Sequence, residues 1–319
     1  MEPALPPLHP KLPKLLSALN LEPLDAIKWN VISCRREGKG GPERLVLKFG
    51  SNDRKAASIA YEAKLFRGIL PGINQVEFER LVIPGYVDDG VFEDIQWILT
   101  GYLDGIPLAH RWSELSIKPE ILGGLGIDPK IAGYAVDVLR DLRSVDVESM
   151  PDYVRRFRFE DWRKVFSDRS RELADLRMIQ GVTAEKAGSI LNSLPSYRYD
   201  GNMFTNGDFY PRNFIVLPGD RIGVTDWVGG IDPWTFVAMH AWLMMWGNPE
   251  WQADYIRALV EHFPIDIEEM QAGLLVKSFD AAYRWRIEPE ETVGLARSQM
   301  LAYFRRFLEI DRVREMFSV

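Results

Sequence analysis

The stretch from Thr205 to Trp227, TNGDFYPRNFIVLPGDRIGVTDW, constrains the fold more than any other part of the chain. Two short runs read as strands, 214–217 and 222–225, and flank Pro218-Gly219-Asp220-Arg221. A two-residue Gly219-Asp220 loop in a II′ turn predicts Leu217 opposite Ile222, Ile215 opposite Val224 and Asn213 opposite Asp226. Directly opposed residues hold their Cβ atoms about 4.5–5.5 Å apart. That register offers an amide oxygen and a carboxylate to one hard divalent cation, and Mg²⁺ is the usual choice beside phosphates. Asp208 precedes Asn213 by five residues, on a loop braced by Pro211. A carboxylate held just outside a metal site can accept a hydroxyl proton while the hydroxyl attacks phosphorus. Taken alone, the stretch fits an ordinary hairpin equally well, because Asp and Asn are common turn formers.

A second signal lies upstream. Leu45-Val46-Leu47-Lys48-Phe49 sets a lysine in an apolar strand, where an ammonium needs a partner. This strand pairs with Val31–Arg36 through the turn-forming 37–42, which predicts a hairpin. A helix is expected over 54–70, with Ile59, Ala63, Phe66 and Leu70 on one face and Pro71-Gly72 as its stop. Glu62 falls within that core-facing stripe, so Lys48 and Glu62 are natural partners. A purely structural ion pair, or two snorkelling side chains, fits the same pattern.

Around these signals the chain changes character. Apolar runs at 81–87 and 95–99 continue the strand-rich part, and 100–105 reads as a connection. Beyond it the pattern is helical. Ile131, Ala135, Val138, Leu142 and Val145 form one stripe, and 236–246 is apolar nearly all round, as in a buried helix. Tyr255, Leu259 and Phe263 extend the helical period.

Composition removes several function classes. With 39 Lys+Arg against 46 Asp+Glu, the net charge of −7 argues against a dedicated nucleic-acid binder. The run Val154-Arg155-Arg156-Phe157-Arg158 then reads as a solvated helix face. Cys34 is the only cysteine, which excludes an intrachain disulfide and a multi-cysteine zinc site. His9, His110, His240 and His262 show no metal-ligand spacing, and His240 reads as a core histidine. Neither a Walker A sequence nor a Gly-x-Ser-x-Gly elbow is present. The Pro-rich start lacks the apolar core of a signal peptide, and no apolar stretch is long enough to span a bilayer. A soluble, cytoplasmic protein without a membrane partner is expected. Trp227, Trp234, Trp242, Trp246 and Trp251 read as core packing, with an aromatic wall for an acceptor as the sharper option. Asp232 is expected to cap the following helix.

In order along the chain, these pieces resemble the aminoglycoside phosphotransferase family, small-molecule kinases of the protein-kinase-like superfamily. The resemblance runs from about residue 27 to the end and is most specific between Asp208 and Asp226. It implies a two-lobed, protein-kinase-like α+β fold, with a small β-rich N-terminal lobe and a larger helical C-terminal lobe. The divisions are a Pro-rich segment 1–13, a nucleotide-binding lobe 14–101, and a helical lobe 102–319 holding the catalytic loop and acceptor pocket. It implies an ATP-dependent (or other nucleoside triphosphate-dependent), Mg²⁺-dependent transfer of phosphate to a hydroxyl of a small-molecule acceptor. In that reading Lys48 contacts the nucleotide phosphates and is held by Glu62. Asp208 is the catalytic carboxylate, Asn213 and Asp226 bind Mg²⁺, and Thr100, Gly101, Tyr102 and Leu103 form the adenine-binding hinge.

Three departures stand out. Asn206 replaces the histidine that usually opens the family's His-Gly-Asp loop. Trp227-Val228 follows Asp226 where protein kinases carry Phe-Gly, which favours the small-molecule branch. The segment before the Cys34 strand, Leu24-Asp25-Ala26-Ile27-Lys28-Trp29-Asn30, contains no glycine to cover phosphates closely. Nucleotide binding there would be weak, or would depend on Asn30 and on substrate. The glycine-free loop leaves an alternative open: a pseudokinase acting as a nucleotide- or partner-binding module.

Overall fold

Alternating burial in one long strand organises the first half of the molecule. The structure is a computed structural model that describes residues 9–28, 30–38, 40–73, 76–108, 128, 130–288 and 290–318. In β3 (Gly41–Gly50), Leu45, Leu47 and Phe49 are buried on one face, while Val46 and Lys48 point to the other. The strand is central to a five-stranded antiparallel sheet. Its order is β1 (Glu22–Lys28), β2 (Val31–Gly38), β3, β6 (Ile95–Gly101) and β5 (Tyr86–Phe92). Leu12, Leu15 and Leu16 of α1 (Leu12–Ala18) cover the face bearing Leu47 and Phe49. α2 (Asp53–Gly68) packs against β3 and β6 and buries Ile59, Glu62, Ala63 and Phe66. Asn52 caps α2 by accepting a hydrogen bond from the Lys55 amide at 2.9 Å.

The chain divides into two compact units. One contains the described residues up to Leu108 together with Asn213–Val228; the other contains the described residues of 128–212 and from Gly229 onward. The 214–224 hairpin therefore packs with the first unit. Its strands β9 (Phe214–Leu217) and β10 (Arg221–Val224) are flanked by β7 (Ile106–Pro107) and β4 (Leu81–Val82) in a four-stranded sheet.

The second unit is mainly helical, with α4 (Ile131–Arg143), α5 (Phe159–Asp175), α6 (Gly181–Ser193), α7 (Trp234–Met244), α8 (Pro249–His262), α9 (Ile267–Arg284), α10 (Glu290–Arg306) and α11 (Ile310–Met316). A two-stranded pair joins β8 (Met203–Phe204) to β11 (Ile231–Asp232). Within α7 every residue except His240 is buried. A β-rich N-terminal sheet followed by a helical part is the kinase-like order expected from the sequence. Among the described residues no helix is long and apolar enough to cross a membrane.

Several local expectations are corrected. The hairpin pairs Leu217 with Arg221, Ile215 with Gly223 and Phe214 with Val224, one residue off the register read from the sequence. The cause is a three-residue loop, in which Asp220 joins Gly219 at positive φ (+59° and +75°). Asp tolerates that left-handed region better than most residues, so Pro218-Gly219-Asp220 all serve as loop. Leu12 and Pro13 belong to α1, because Pro is well suited to a first helical turn; residues 1–8 lie outside the described residues. Pro71-Gly72 sits inside a further helical turn, α3 (Leu70–Ile73). The basic run 154–158 is irregular, not helical: Arg156 bridges to Ile231 and donates to the Val147 and Gly201 carbonyls. The cap before α7 comes from Asn202, whose Oδ1 accepts from the Trp234 amide at 2.9 Å, and Asp232 lies in β11. Trp227, Trp234, Trp242 and Trp251 are buried core residues, while Trp246 lies past the end of α7 and is half-buried.

Cys34 is fully buried in the sheet core, and burial pushes its thiol up to about 12. It is expected to stay unmodified by a thiol reagent in the native protein at neutral pH and to react in one step on unfolding. Mass spectrometry across a urea series checks this, and rapid labelling without denaturant would contradict it.

Candidate active site

The period-two pattern of β3 points Lys48 away from the Leu47–Phe49 face and toward α2. Its Nζ donates to Glu62 Oε2 at 2.6 Å and to Asp226 Oδ1 at 2.6 Å. Glu62 is buried on the inner stripe of α2; Lys48 and Asp226 are mostly buried. Burial alone would lower the lysine pKa, but the charges of Asp226 and Glu62 outweigh it and hold the ammonium above its ordinary value. With a raised folded pKa, these pairs stabilise the fold fully below the unfolded lysine pKa. That contribution is lost only as pH rises through the higher folded value. Lys48 therefore stays charged throughout the neutral range.

Asp226 reaches this lysine from the residue two beyond β10, with φ at +60°. Its carbonyl accepts from the Val228 amide at 2.9 Å. The indole of Trp227 is fully buried and donates to the Val224 carbonyl at 2.8 Å, which anchors the chain on either side of Asp226. Asn213 is buried at the opposite mouth of the hairpin, where its carbonyl accepts from Thr225 N at 3.0 Å and Thr225 Oγ1 at 3.2 Å. Asn213 thus stands beside Thr225, and the expected direct opposition to Asp226 is absent. Among the described residues no group of three His, Cys, Asp or Glu side chains is placed to hold a metal.

The remaining positions of the first unit are structurally committed in part. Asn30 closes the turn between β1 and β2: its carbonyl accepts from the Phe49 amide at 3.0 Å, and its side-chain amide donates to the Phe49 carbonyl at 3.2 Å. Trp29 of the same turn lies outside the described residues. Thr100 and Gly101 end β6, where Gly101 N donates to Gly85 O at 2.8 Å and Tyr102 N to Arg44 O at 3.2 Å. The Arg44 guanidinium lies 3.7 Å over the Tyr102 ring. Leu103 packs so closely on β10 that a Cβ at Gly223 would meet it at 2.5 Å.

Asp208 belongs to the second unit. Its loop is held by buried polar groups: Asn206, itself fully buried, donates to the Asp208 carbonyl at 3.4 Å, and Gly207 N donates to Thr205 Oγ1 at 3.3 Å. Gly207 has φ of +86°, and a Cβ on Gly229 would lie 2.2 Å from its amide nitrogen. Two backbones meet there with no room for a side chain. The Asp208 carboxylate is 46% exposed and lies 3.1 Å from His240 Nε2. The sequence pattern had placed His240 simply in the core; its apolar helix gave no sign that it meets Asp208.

The description "phosphotransferase enzyme family" fits the family model that matches residues 33–272. The GDP complex of aminoglycoside 2′-phosphotransferase-IIIa superposes with a TM-score of 0.64 at 13% identity, covering 93% of this chain and 99% of that one. A thermostable mutant of aminoglycoside phosphotransferase APH(4)-Ia, in ternary complex with AMP-PNP and hygromycin B, gives 0.61 at 16% identity, covering 93% and 98%. An aminoglycoside phosphotransferase from Alicyclobacillus acidocaldarius subsp. acidocaldarius gives 0.59 at 13% identity, covering 98% of each chain. No curated protein matches the sequence. The chain is an enzyme with the protein-kinase-like fold of the small-molecule kinases. It belongs to the phosphotransferase enzyme family.

Two substitutions test this architecture. Lys48→Ala leaves Glu62 and Asp226 facing each other without their cation and is expected to cost about 3 kcal/mol, read by urea denaturation. A loss below about 0.5 kcal/mol, as for an exposed surface pair, would contradict the buried pairing. Gly229→Ala forces a methyl against the Gly207 backbone and is expected to destabilise by about 1–3 kcal/mol in the same measurement.

Proposed function

We propose that this enzyme transfers the γ-phosphoryl group of ATP, or of another nucleoside triphosphate, to a hydroxyl of a small molecule. The observation that carries the reading is Lys48 held between Glu62 and Asp226, a cation kept charged and aimed from a rigid strand. Neighbouring folds crystallised with GDP, or with AMP-PNP and hygromycin B, support a nucleotide donor and a small-molecule acceptor. ATP as donor also fits a cytoplasmic enzyme.

In this reading the first unit binds nucleotide. Lys48 neutralises the α- and β-phosphates, and Glu62 keeps it oriented. Leu103 is the hinge residue best suited to the adenine edge, since the amides of Gly101 and Tyr102 already bond to Gly85 and Arg44. Asn30 serves the phosphates only through the shape of the β1–β2 turn, because both its side-chain amide and its carbonyl bond to Phe49.

The oxygen donors of Asn213 and Asp226 fit Mg²⁺. One carboxylate and one amide make no complete protein cage, and Mg²⁺ is usually held by one or two carboxylates together with substrate phosphates. When bound, the ion would neutralise charge on the phosphates. The second unit supplies the acceptor pocket and Asp208. As the acceptor oxygen forms its bond to the γ-phosphorus, the bond from phosphorus to the β–γ bridging oxygen breaks and ADP leaves. Asp208 accepts the hydroxyl proton. Most of the rate comes from positioning and charge, as is general for this chemistry.

Asp208→Asn is expected to abolish phosphoryl transfer in a screen of hydroxyl acceptors with labelled ATP, while the thermal shift produced by ATP stays near that of wild type. Asp226→Ala is expected to lose the Mg²⁺-dependent part of that shift. Full transfer by Asp208→Asn would remove the assignment. Nucleotide bound by wild type but never consumed would favour the binding-module alternative.

A further inference from the structure

α7 is a core helix, and its one residue that is not buried is a histidine. An imidazole buries less apolar surface than the leucine or methionine that would suit such a helix, and its ring nitrogens need polar partners. His240 Nε2 meets Asp208 Oδ1 at 3.1 Å. Tyr210, buried in the same loop, meets the ring edge-on, with centroids 5.9 Å apart at 82°. The imidazole is thus carried by a rigid helix, packs edge-on with an aromatic ring, and turns its Nε2 to the carboxylate.

We propose that His240 is a positioning residue for Asp208, holding the carboxylate in the rotamer that receives the acceptor proton. The proposal rests on the reading that Asp208 is the proton acceptor. Misplacement of a reacting group by about 1 Å costs about a hundredfold in rate, and a hydrogen bond from a rigid helix restrains a carboxylate that is nearly half exposed. The Asn206 and Gly207 bonds hold the loop backbone, and His240 meets the side chain itself.

The charge state suits the task. Burial lowers the His240 pKa below its ordinary 6.5, Asp208 opposes that, and Lys277 and Arg284 of α9 add to the lowering. Lys277 is itself 4.0 Å from Asp232. At neutral pH the ring is therefore uncharged, and it donates from Nε2–H to the carboxylate. Asp208 keeps its negative charge and its basicity. Acidification through the lowered pKa turns the ring into a cation, which stabilises the Asp208 carboxylate and weakens it as a base.

The test uses the full chain, NMR of the histidine rings, and steady-state turnover of Mg–ATP with water standing in for the acceptor. His240→Gln assigns the His240 resonance. Its titration is expected below pH 6.5 in wild type and lower still in Asp208→Asn, which lacks the carboxylate that favours the imidazolium. An unchanged midpoint in Asp208→Asn overturns the contact. In turnover, His240→Phe is expected to lose about tenfold or more in kcat with little change in the KM for ATP. His240→Gln, which can still donate, is expected to recover much of that loss, and its profile lacks the acid limb that His240 gives wild type. Wild-type kcat with the acid limb intact in His240→Phe overturns the proposal. If Asp208→Asn itself turns over normally, the catalytic reading of Asp208 fails instead, and the NMR result still decides whether the two side chains meet. The ATP thermal shift in each variant confirms that it is folded.

Discussion

A cation placed among apolar strand residues must be matched by carboxylates brought from elsewhere in the chain, and Lys48 recruits two. Glu62 comes from a helix only a few residues along, and Asp226 from a hairpin 178 residues away in sequence. The nearer pair depends on two periods agreeing. Alternation along β3 turns Lys48 away from the Leu47–Phe49 core, and the helical period of α2 turns Glu62 inward. The distant pair depends on a turn. Asp220 and Asp226 both sit at positive φ, one shaping the hairpin loop and the other turning the chain out of β10. Neither ion pair can be moved without shifting a packed element, so Lys48 is as much a folding constraint as a candidate phosphate ligand.

The second unit meets a different demand, because the loop that carries the half-exposed Asp208 carboxylate must be held without relying on that carboxylate. Backbone contact provides the hold. Gly229 leaves no space for a side chain against Gly207, and Gly230 and Gly201 are equally tight against Arg155 and Ile231. The Thr205 amide donates to the Gly230 carbonyl at 2.8 Å, which ties the loop to the strand that leads into α7. Buried Asn206 then does with a neutral amide what a titratable group would do only over part of the pH range. Its bond to the Asp208 carbonyl is independent of pH, so the loop backbone keeps its shape where the His240 ring changes charge.

Much of this was legible in the sequence because it is periodic. The β3 alternation, the inward stripe of α2 and the apolar α7 appear as expected, and so does the order of a β-rich part before a helical one. What escaped was non-periodic. The hairpin register turned on whether Pro218 belongs to a strand or to the loop, and the positive φ of Asp220 goes with the longer loop. β1 was hidden by Pro23 and by two register shifts against β2, which break the alternation that marks a strand. The cap of α7 came from Asn202, distant in sequence, although Asp232 was the nearer candidate. His240 was unreadable because local sequence describes the helix that carries a side chain, whereas its partner is set by tertiary packing.

The same distinction separates the two classes of polar residue in this molecule. Lys48 and Glu62 announce themselves, since a charge on an apolar face is costly unless paired and their spacing names the pair. A neutral histidine or a buried asparagine costs less to bury, so it leaves a weaker mark on the pattern around it. Yet Asn206 and His240 both touch Asp208, one at the backbone and one at the side chain. Electrostatic cost therefore marks where Lys48 and its carboxylates must lie. The groups that meet Asp208 are cheap enough to pass for core, and only the folded chain shows where they point.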